Sequence, residues 1–382
     1  MDSDKPADDL DQLVGELDAH AGSPPPQPAS DRGPAFGEWV ASVAKNRGSD
    51  LFLVSGSSPM MRVDGKLVLL ANIPLTPAQV EAIVLPVMDR DAVDRYRNGG
   101  IVDASVRIAG VGRFRINLHR ERRRPAAAVR ILPNSVPGFG ELHLPAEIQQ
   151  LASLTSGLVL IGGATGSGKT TTMAAVISAI NGRDARHIIT VEDPIEYEHS
   201  NVRSLIEHVE IGADAPDFPT ALRAAVRQAP DIIVVGEMRA PESMRIALSA
   251  AETGHLVFSS VHTLDVAATV GRVSDSFPNE RQNTIRQELS HALTGVVTQH
   301  LIPAKAGGRV PAVEVLMVSY GARQHIRRNA LQHLHQEIAL TRKLGSITLE
   351  ESLARLVKAD LITLTEANLR SRHPDELEAQ LR

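Results

Sequence analysis

The sequence predicts an α/β protein in which a smaller α+β domain precedes a larger one built on a parallel sheet, and three observations carry that expectation. Between residues 157 and 263 the short apolar runs GLVLIGG, HIITVEDP, DIIVVGE and HLVFSSVHT alternate with stretches of helical period, as parallel strands covered by helices do. Between residues 36 and 137 the runs DLFLV, MMRVDGKLVLL, IVDASVRIAGVGRFRINLHR and AAAVRILP alternate apolar with polar and break at Asp64-Gly65 and Gly110, as antiparallel hairpins do. At 382 residues, 43% apolar and 22% charged, the chain is long enough to bury two such cores.

Taken in order, residues 1–34 read as a disordered acidic and proline-rich tail. Asp2, Asp4, Asp8, Asp9, Asp11, Glu16 and Asp18 face only Lys5, and SPPPQPAS follows. Leu10, Leu13, Val14 and Leu17 within it fall at helical spacing, although composition favours a solvated tail. Residues 35–138 form the first domain, with helices expected near 38–46 and 77–97. Residues 139–382 form the second. From about Pro278 onward its texture is read as mostly helical, with Ile285, Leu289, Leu293, Val296, Val297 and Leu301 along one face. Residues 319–382 are expected to be a helical region. There Thr348 is placed to cap one helix with Glu351 reciprocating, and Thr363 or Thr365 to cap the next. His325, His333 and His335 lack carboxylates at ligand spacing and are read as an exposed helix face.

Composition excludes several chemistries. No apolar run approaches the ~20 residues of a membrane helix, and the N-terminus is acidic rather than signal-like, so a cytoplasmic protein is expected. With no cysteine there is no disulfide, thiolate zinc site or cysteine nucleophile. A net charge of −5 and 3% aromatic residues argue against nucleic acid as a partner. The basic run RERRRP at 120–125 lacks interleaved aromatics and is read as a solvated turn or subunit contact.

The chemistry concentrates after the first apolar run of the second domain. Gly163, Ala164, Thr165, Gly166, Ser167, Gly168, Lys169 and Thr170 satisfy G-x-x-x-x-G-K-[ST] between a predicted strand and a helix over 171–180, with Thr171 the next hydroxyl. Glycines let backbone amides converge on phosphate oxygens, and the helix N-terminus adds partial positive charge. Lys169 should reach the β- and γ-phosphates of ATP, and the Thr170 hydroxyl should ligate Mg²⁺. Carboxylates are then sought at strand ends of the same sheet. Asp231 and Glu237 bracket DIIVV, with Glu237 placed to hold the metal directly or through water. Glu192 and Asp193, with Glu196 close behind, end HIITV, and Glu192 is read as positioning or deprotonating the attacking water. His255 and His262 bracket another strand, and His262 is the better placed to sense the γ-phosphate.

In order and spacing, GATGSGKTTT, ITVEDPIEY, VVGEMR and AAETGHLVFSSVHT resemble the Walker A, Asp box, Walker B and His box of the secretion ATPase superfamily, the ring motors of type IV pili and of type II and type IV secretion. The resemblance extends from about Phe36 through GSDLFLVSGSSPMMRVDGKL and GRFRIN. VGEMR, the short first domain and the lack of a four-cysteine module point to the retraction branch, the twitching-motility ATPases. It implies a PAS-like first domain, a RecA-like P-loop second domain and a homohexamer with ATP between subunits. It also implies work against an inner-membrane pilus platform protein, peripheral placement at that membrane, and a second retraction ATPase as a partner. Arg115 and Arg130, on two predicted strands, match the paired arginines of the family, whose guanidinium groups would neutralise charge on the γ-phosphoryl oxygens. Arg113 and Arg239 are weaker matches. Phe52 stands where the family usually has histidine, and GARQHIRR at 321–328 keeps only Arg323, Ile326 and Arg327 of a retraction-branch helix motif. The competing readings are a pilus-assembly or type II secretion ATPase, a RecA-like nucleic-acid translocase, and a regulatory nucleotide-binding subunit.

Overall fold

The computed structural model describes residues 34–63 and 65–382; the acidic tail with Leu10, Leu13, Val14 and Leu17, and Asp64, lie outside the described residues. These residues fall into two compact units, one up to Leu132 and one Pro133–Arg382, dividing ahead of the expected 138/139 boundary.

In the first unit period-two patterning becomes an antiparallel sheet. Its strands are β1 (Asp50–Val54), β2 (Met60–Val63), β3 (Lys66–Leu69), β4 (Val102–Ile108), β5 (Gly112–Glu121) and β6 (Arg124–Leu132), in the order β3-β2-β1-β6-β5-β4. Alternate residues of these strands, among them Leu51, Leu53, Phe114, Ile116 and Leu118, are buried against helices Pro34–Lys45, Pro77–Val84 and Arg90–Gly99. The helix starts are set locally. Thr76 accepts from the Gln79 amide while the Gln79 side chain accepts from the Thr76 amide, and Asp89 caps the third helix through the Ala92 amide. The other face of the sheet carries Asp50, Asp103, Arg115, Asn117 and Arg130 around a groove.

The second unit is built on β7 (Gly157–Gly162), β8 (His187–Glu192), β9 (Leu205–Glu210), β10 (Ile232–Val235), β11 (Leu256–Val261), β12 (Leu293–Pro303) and β13 (Arg309–Met317). Their order is β13-β12-β7-β11-β10-β8-β9, parallel throughout except for the antiparallel β12–β13 pair. Continuous apolar runs arise because both faces are covered. Leu158 and Leu160 enter one core and Val159 and Ile161 the other, and β10 divides Ile233 and Val235 from Ile232 and Val234 in the same way. Helix Lys169–Arg183 covers one face through Met173, Val176, Ile177 and Ile180. Helices Phe218–Ala225, Pro241–Glu252, Val266–Asp275 and Asn279–Ala292 contribute to the core on the other.

Two local expectations are corrected. The helical reading beyond Pro278 holds for Asn279–Ala292 and for the helices from Tyr320 onward, but not between them: Leu293, Val296, Val297 and Leu301 lie on β12. Short apolar runs fit both periods, and pairing with β7 on one side and β13 on the other decides for the strand. Thr348 does cap helix Leu349–Lys358 through the Glu351 amide, but the Glu351 carboxylate turns to Arg355 and Arg342 instead of reciprocating. Thr363, rather than Thr365, caps helix Leu364–Arg370. With helix Pro374–Leu381 these elements bury Leu349, Leu353, Ile362 and Leu377 against Ile302, Val310 and Ala312 of the β12–β13 hairpin.

Candidate active site

Because β7, β8, β10 and β11 run parallel, the loops that follow them emerge at one edge, and the chemistry-bearing residues of the second unit gather there. Residues 163–168 form the first of these loops. A Cβ on Gly163 (φ +151°) would stand 2.3 Å from Ser167 Oγ, and one on Gly168 (φ +89°) 2.7 Å from Gln299 Nε2, so both positions require glycine. Ala164, Thr165 and Gly166 are exposed at the tip, whereas Ser167 is buried and its Oγ has no hydrogen-bond partner among the described residues. Helix Lys169–Arg183 begins at the loop lysine itself, earlier than the expected 171, so its unpaired N-terminal amides open toward the loop.

Lys169, 7% exposed, donates from Nζ to the carbonyls of Gly163 (2.9 Å) and Ala164 (3.0 Å) and lies 3.5 Å from His262 Nδ1. Burial lowers its pKa, opposed by the charges of Glu237 and Glu196. Thr170 is half-buried in the first turn, and the Thr171 hydroxyl meets the Tyr197 hydroxyl at 3.0 Å.

Glu237, just past β10, is 2.9 Å from His262 Nε2 through one oxygen and 2.7 Å from an Arg239 nitrogen through the other. Burial pushes its pKa up, but Arg239, His262 and Lys169 outweigh that and hold the carboxyl below its ordinary value. Arg239 thus joins the edge directly. Glu192, 7% exposed, ends β8, and its Oε1 lies 3.9 Å from His208 Nδ1. His208 Nε2 accepts the His199 amide at 3.1 Å, which leaves the proton on Nδ1, facing Thr190 Oγ1 at 2.8 Å. Asp193 is exposed and precedes a cis proline, and Glu196 is half-buried.

Two other candidates of the second unit lie apart from this edge. Asp231 and His255 occupy the opposite ends of their strands. Asp231 accepts the His187 amide at 2.8 Å, and the His255 ring meets the Ala250 carbonyl at 3.0 Å. Arg115 and Arg130 belong to the first unit, where they are register partners across β5 and β6. Arg115 donates to Asp103 at 3.2 Å and Arg130 to Asp50 at 2.9 Å. Arg113 is buried in the same sheet.

Sequence reasoning missed Gln299. The register that pairs Thr298 with Gly162 sets Gln299 level with Gly163, where its Nε2 donates to the Ser167 carbonyl and its Oε1 accepts from Thr172 Oγ1, both at 2.7 Å. A glutamine within the apolar run VVTQHL was the available signal, obscured by the helical reading of that run.

Residues 138–360 match the model of the type II/IV secretion system protein family. The type IV pilus retraction ATPase PilT of Pseudomonas aeruginosa is 38% identical over 88% of this chain and 98% of its own length. A twitching motility protein of Neisseria gonorrhoeae is 38% identical over 84% of this chain and 86% of its own. The crystal structure of the pilus retraction motor PilT with bound ADP superposes with a TM-score of 0.81 at 40% identity, covering 90% of this chain and 98% of that one. A cysteine-free chain with this loop, this strand order and this similarity along nearly its whole described length belongs to the type II/IV secretion system protein family, as a secretion ATPase of the PilT type.

Proposed function

We propose that the protein hydrolyses ATP with Mg²⁺ to power type IV pilus retraction. It would act as a cytoplasmic homohexamer, peripheral at the inner membrane against a pilus platform protein and beside a sister retraction ATPase. The observation that carries the enzymatic part is the meeting of Lys169, His262 and Glu237 above a loop that admits no Cβ at Gly163 or Gly168. The residues suit a metal-bound triphosphate: the orphaned Ser167 Oγ and the amides of the helix start can donate to phosphate oxygens, and Thr170 and Glu237 offer hard oxygen ligands. Mg²⁺, when bound there, would supply charge compensation to the phosphates.

The remaining work falls to the chain itself. Lys169 exchanges its two loop carbonyls for phosphate oxygens, and its burial strengthens that attraction. Glu192 orients a water and takes its proton, from a nearly solvent-free position at the end of β8. His262 links Lys169 to Glu237 and so registers changes at either group. Arg115 and Arg130 leave their aspartates to neutralise the γ-phosphoryl oxygens, and Arg239 holds Glu237 ionised.

The test compares purified wild type with Lys169→Ala for ATP turnover and, separately, images pili after gene deletion. Turnover lost in Lys169→Ala supports the enzymatic assignment. Excess non-retracting fibres support retraction, bald cells assign the chain to assembly, and stimulation by single-stranded DNA assigns it to nucleic-acid translocation.

A further inference from the structure

A cluster of donors lies among the C-terminal helices, apart from the residues assigned to nucleotide. His335 sits in helix Leu334–Leu340, His373 immediately precedes helix Pro374–Leu381, and Glu376 is in the first turn of that helix. The three-residue spacing brings His373 and Glu376 to one face. One ligand atom from each of the three residues lies within 4.8 Å of the others. The His335 and His373 rings are 4.2 Å apart and 29° from parallel, and His335 Nε2 meets the two Glu376 oxygens at 2.9 and 3.2 Å.

The second ring nitrogen of His335 decides how this cluster is used. Nδ1 faces Glu314 Oε1 at 3.8 Å, on β13. Glu314 is 5% exposed and immobilised through Oε2, which accepts the Val266 amide at 3.1 Å and the Thr298 hydroxyl at 3.2 Å. A carboxylate behind one imidazole nitrogen with other donors around the opposite nitrogen is the arrangement that fixes tautomer and ring orientation in metal-ligating histidines. Two imidazoles and one carboxylate suit zinc and its neighbours, whereas magnesium and calcium favour oxygen throughout. Arg372, the adjacent cation, is turned onto Asp265 and the Leu264 carbonyl. His373 and Glu376 are exposed, so their side chains can rotate to the ~2.0–2.2 Å bonds such an ion needs.

We propose that His335, His373 and Glu376 form a binding site for a divalent transition-metal ion of the zinc class, with Glu314 as the residue that positions His335. The ion replaces the proton shared between His335 Nε2 and Glu376 and fastens helix Pro374–Leu381 to the hairpin that carries Glu314. Helix Val266–Asp275, whose first amide is held by Glu314, is thereby joined to the same anchor.

The test titrates the full chain, stripped with chelator and free of nucleotide, with Co²⁺ at pH 7.5, followed by Zn²⁺. The expected result is one equivalent bound per chain with the intense visible absorption of a four-coordinate site, lost on zinc addition, with proton release on binding. Glu376→Gln and His373→Ala abolish the absorption, and Glu314→Gln weakens binding ~10–100-fold while leaving its spectrum four-coordinate. Zinc raises the Tm of the wild type but not that of Glu376→Gln. No absorption in the wild type, or equal absorption in wild type and both ligand variants, overturns the proposal. Both ligands are exposed, and a melt in chelator matching the wild type verifies that each variant is folded.

Discussion

The loop edge of the second unit and the arginine face of the first are both charged, yet they are built to opposite rules. At the loop edge Lys169 and Glu192 are each 7% exposed; burial lowers the pKa of Lys169, and Glu237, against its own burial, is held low by Arg239, His262 and Lys169. On the arginine face the side chains of Arg115 and Arg130 are 36% and 66% exposed, the first paired with exposed Asp103 and the second with buried Asp50. The exposed Arg115–Asp103 pair contributes only about 0–1 kcal/mol, and Asp50, itself buried, keeps Arg62 at 3.6 Å and the Ser49 hydroxyl at 2.7 Å when Arg130 turns away, so both guanidinium groups can change partner at little cost. A buried network loses far more when one member goes, because the remaining charges stay desolvated. On the proposed function, preorganised groups belong to the edge that would hold substrate throughout, and loosely held ones to a face that would engage and release.

The largest expected effect would break this contrast if it failed. Arg130→Ala and Arg115→Ala should each lower ATP turnover of the purified protein ~10³-fold or more while shifting the urea midpoint negligibly; a large loss of stability would show that the pairs are structural. Glu192→Gln should follow, with turnover ~10²–10⁴-fold lower and nucleotide binding by calorimetry unchanged.

The third prediction concerns pH. Burial, then the neighbouring His208, lowers His199 from 6.5 to about 4, against the opposing pull of Glu192. The folded state keeps this ring neutral while the unfolded chain protonates it below 6.5, so its contribution is complete above pH 6.5 and is lost as pH falls through 4. Denaturant unfolding of the second unit should weaken by about 2 kcal/mol between pH 7.5 and pH 5, and His199→Gln should flatten that slope. An effect of similar size is expected of Gln299→Ala, which removes two buried hydrogen bonds. A loss of about 2 kcal/mol should appear as a fall in Tm of ~4–8 °C, with KM for ATP raised more than kcat is lowered.

Legibility followed the range of the interactions. The glycine loop, Lys169 and the strand-end positions of Glu192, Glu237 and His262 could be read because a strand, a turn and a helix start are each set by residues close together in the chain. Asp231 and His255 looked equivalent to them, since a sequence marks both ends of a strand alike, and only the shared direction of β8, β10 and β11 separates the two edges. The β12–β13 hairpin was hidden because Leu293, Val296, Val297 and Leu301 satisfy a helical spacing as well as a strand, although Gly307-Gly308 marked its turn. His335 gave no metal signal because its carboxylates, Glu314 and Glu376, arrive from 21 and 41 residues away.

By itself, then, the order of residues determined the two patterned regions, the phosphate loop and the identity of the groups able to do chemistry. These depend on backbone propensity, steric freedom at glycine and periodicity, all of which act over a few neighbouring positions. The tertiary structure alone decided that β12 lies beside β7, so that Gln299 braces the loop, and that Glu237 is shared by His262 and Arg239. Those partnerships depend on which strands become neighbours and in what register, and that is settled by burying two sheet faces at once.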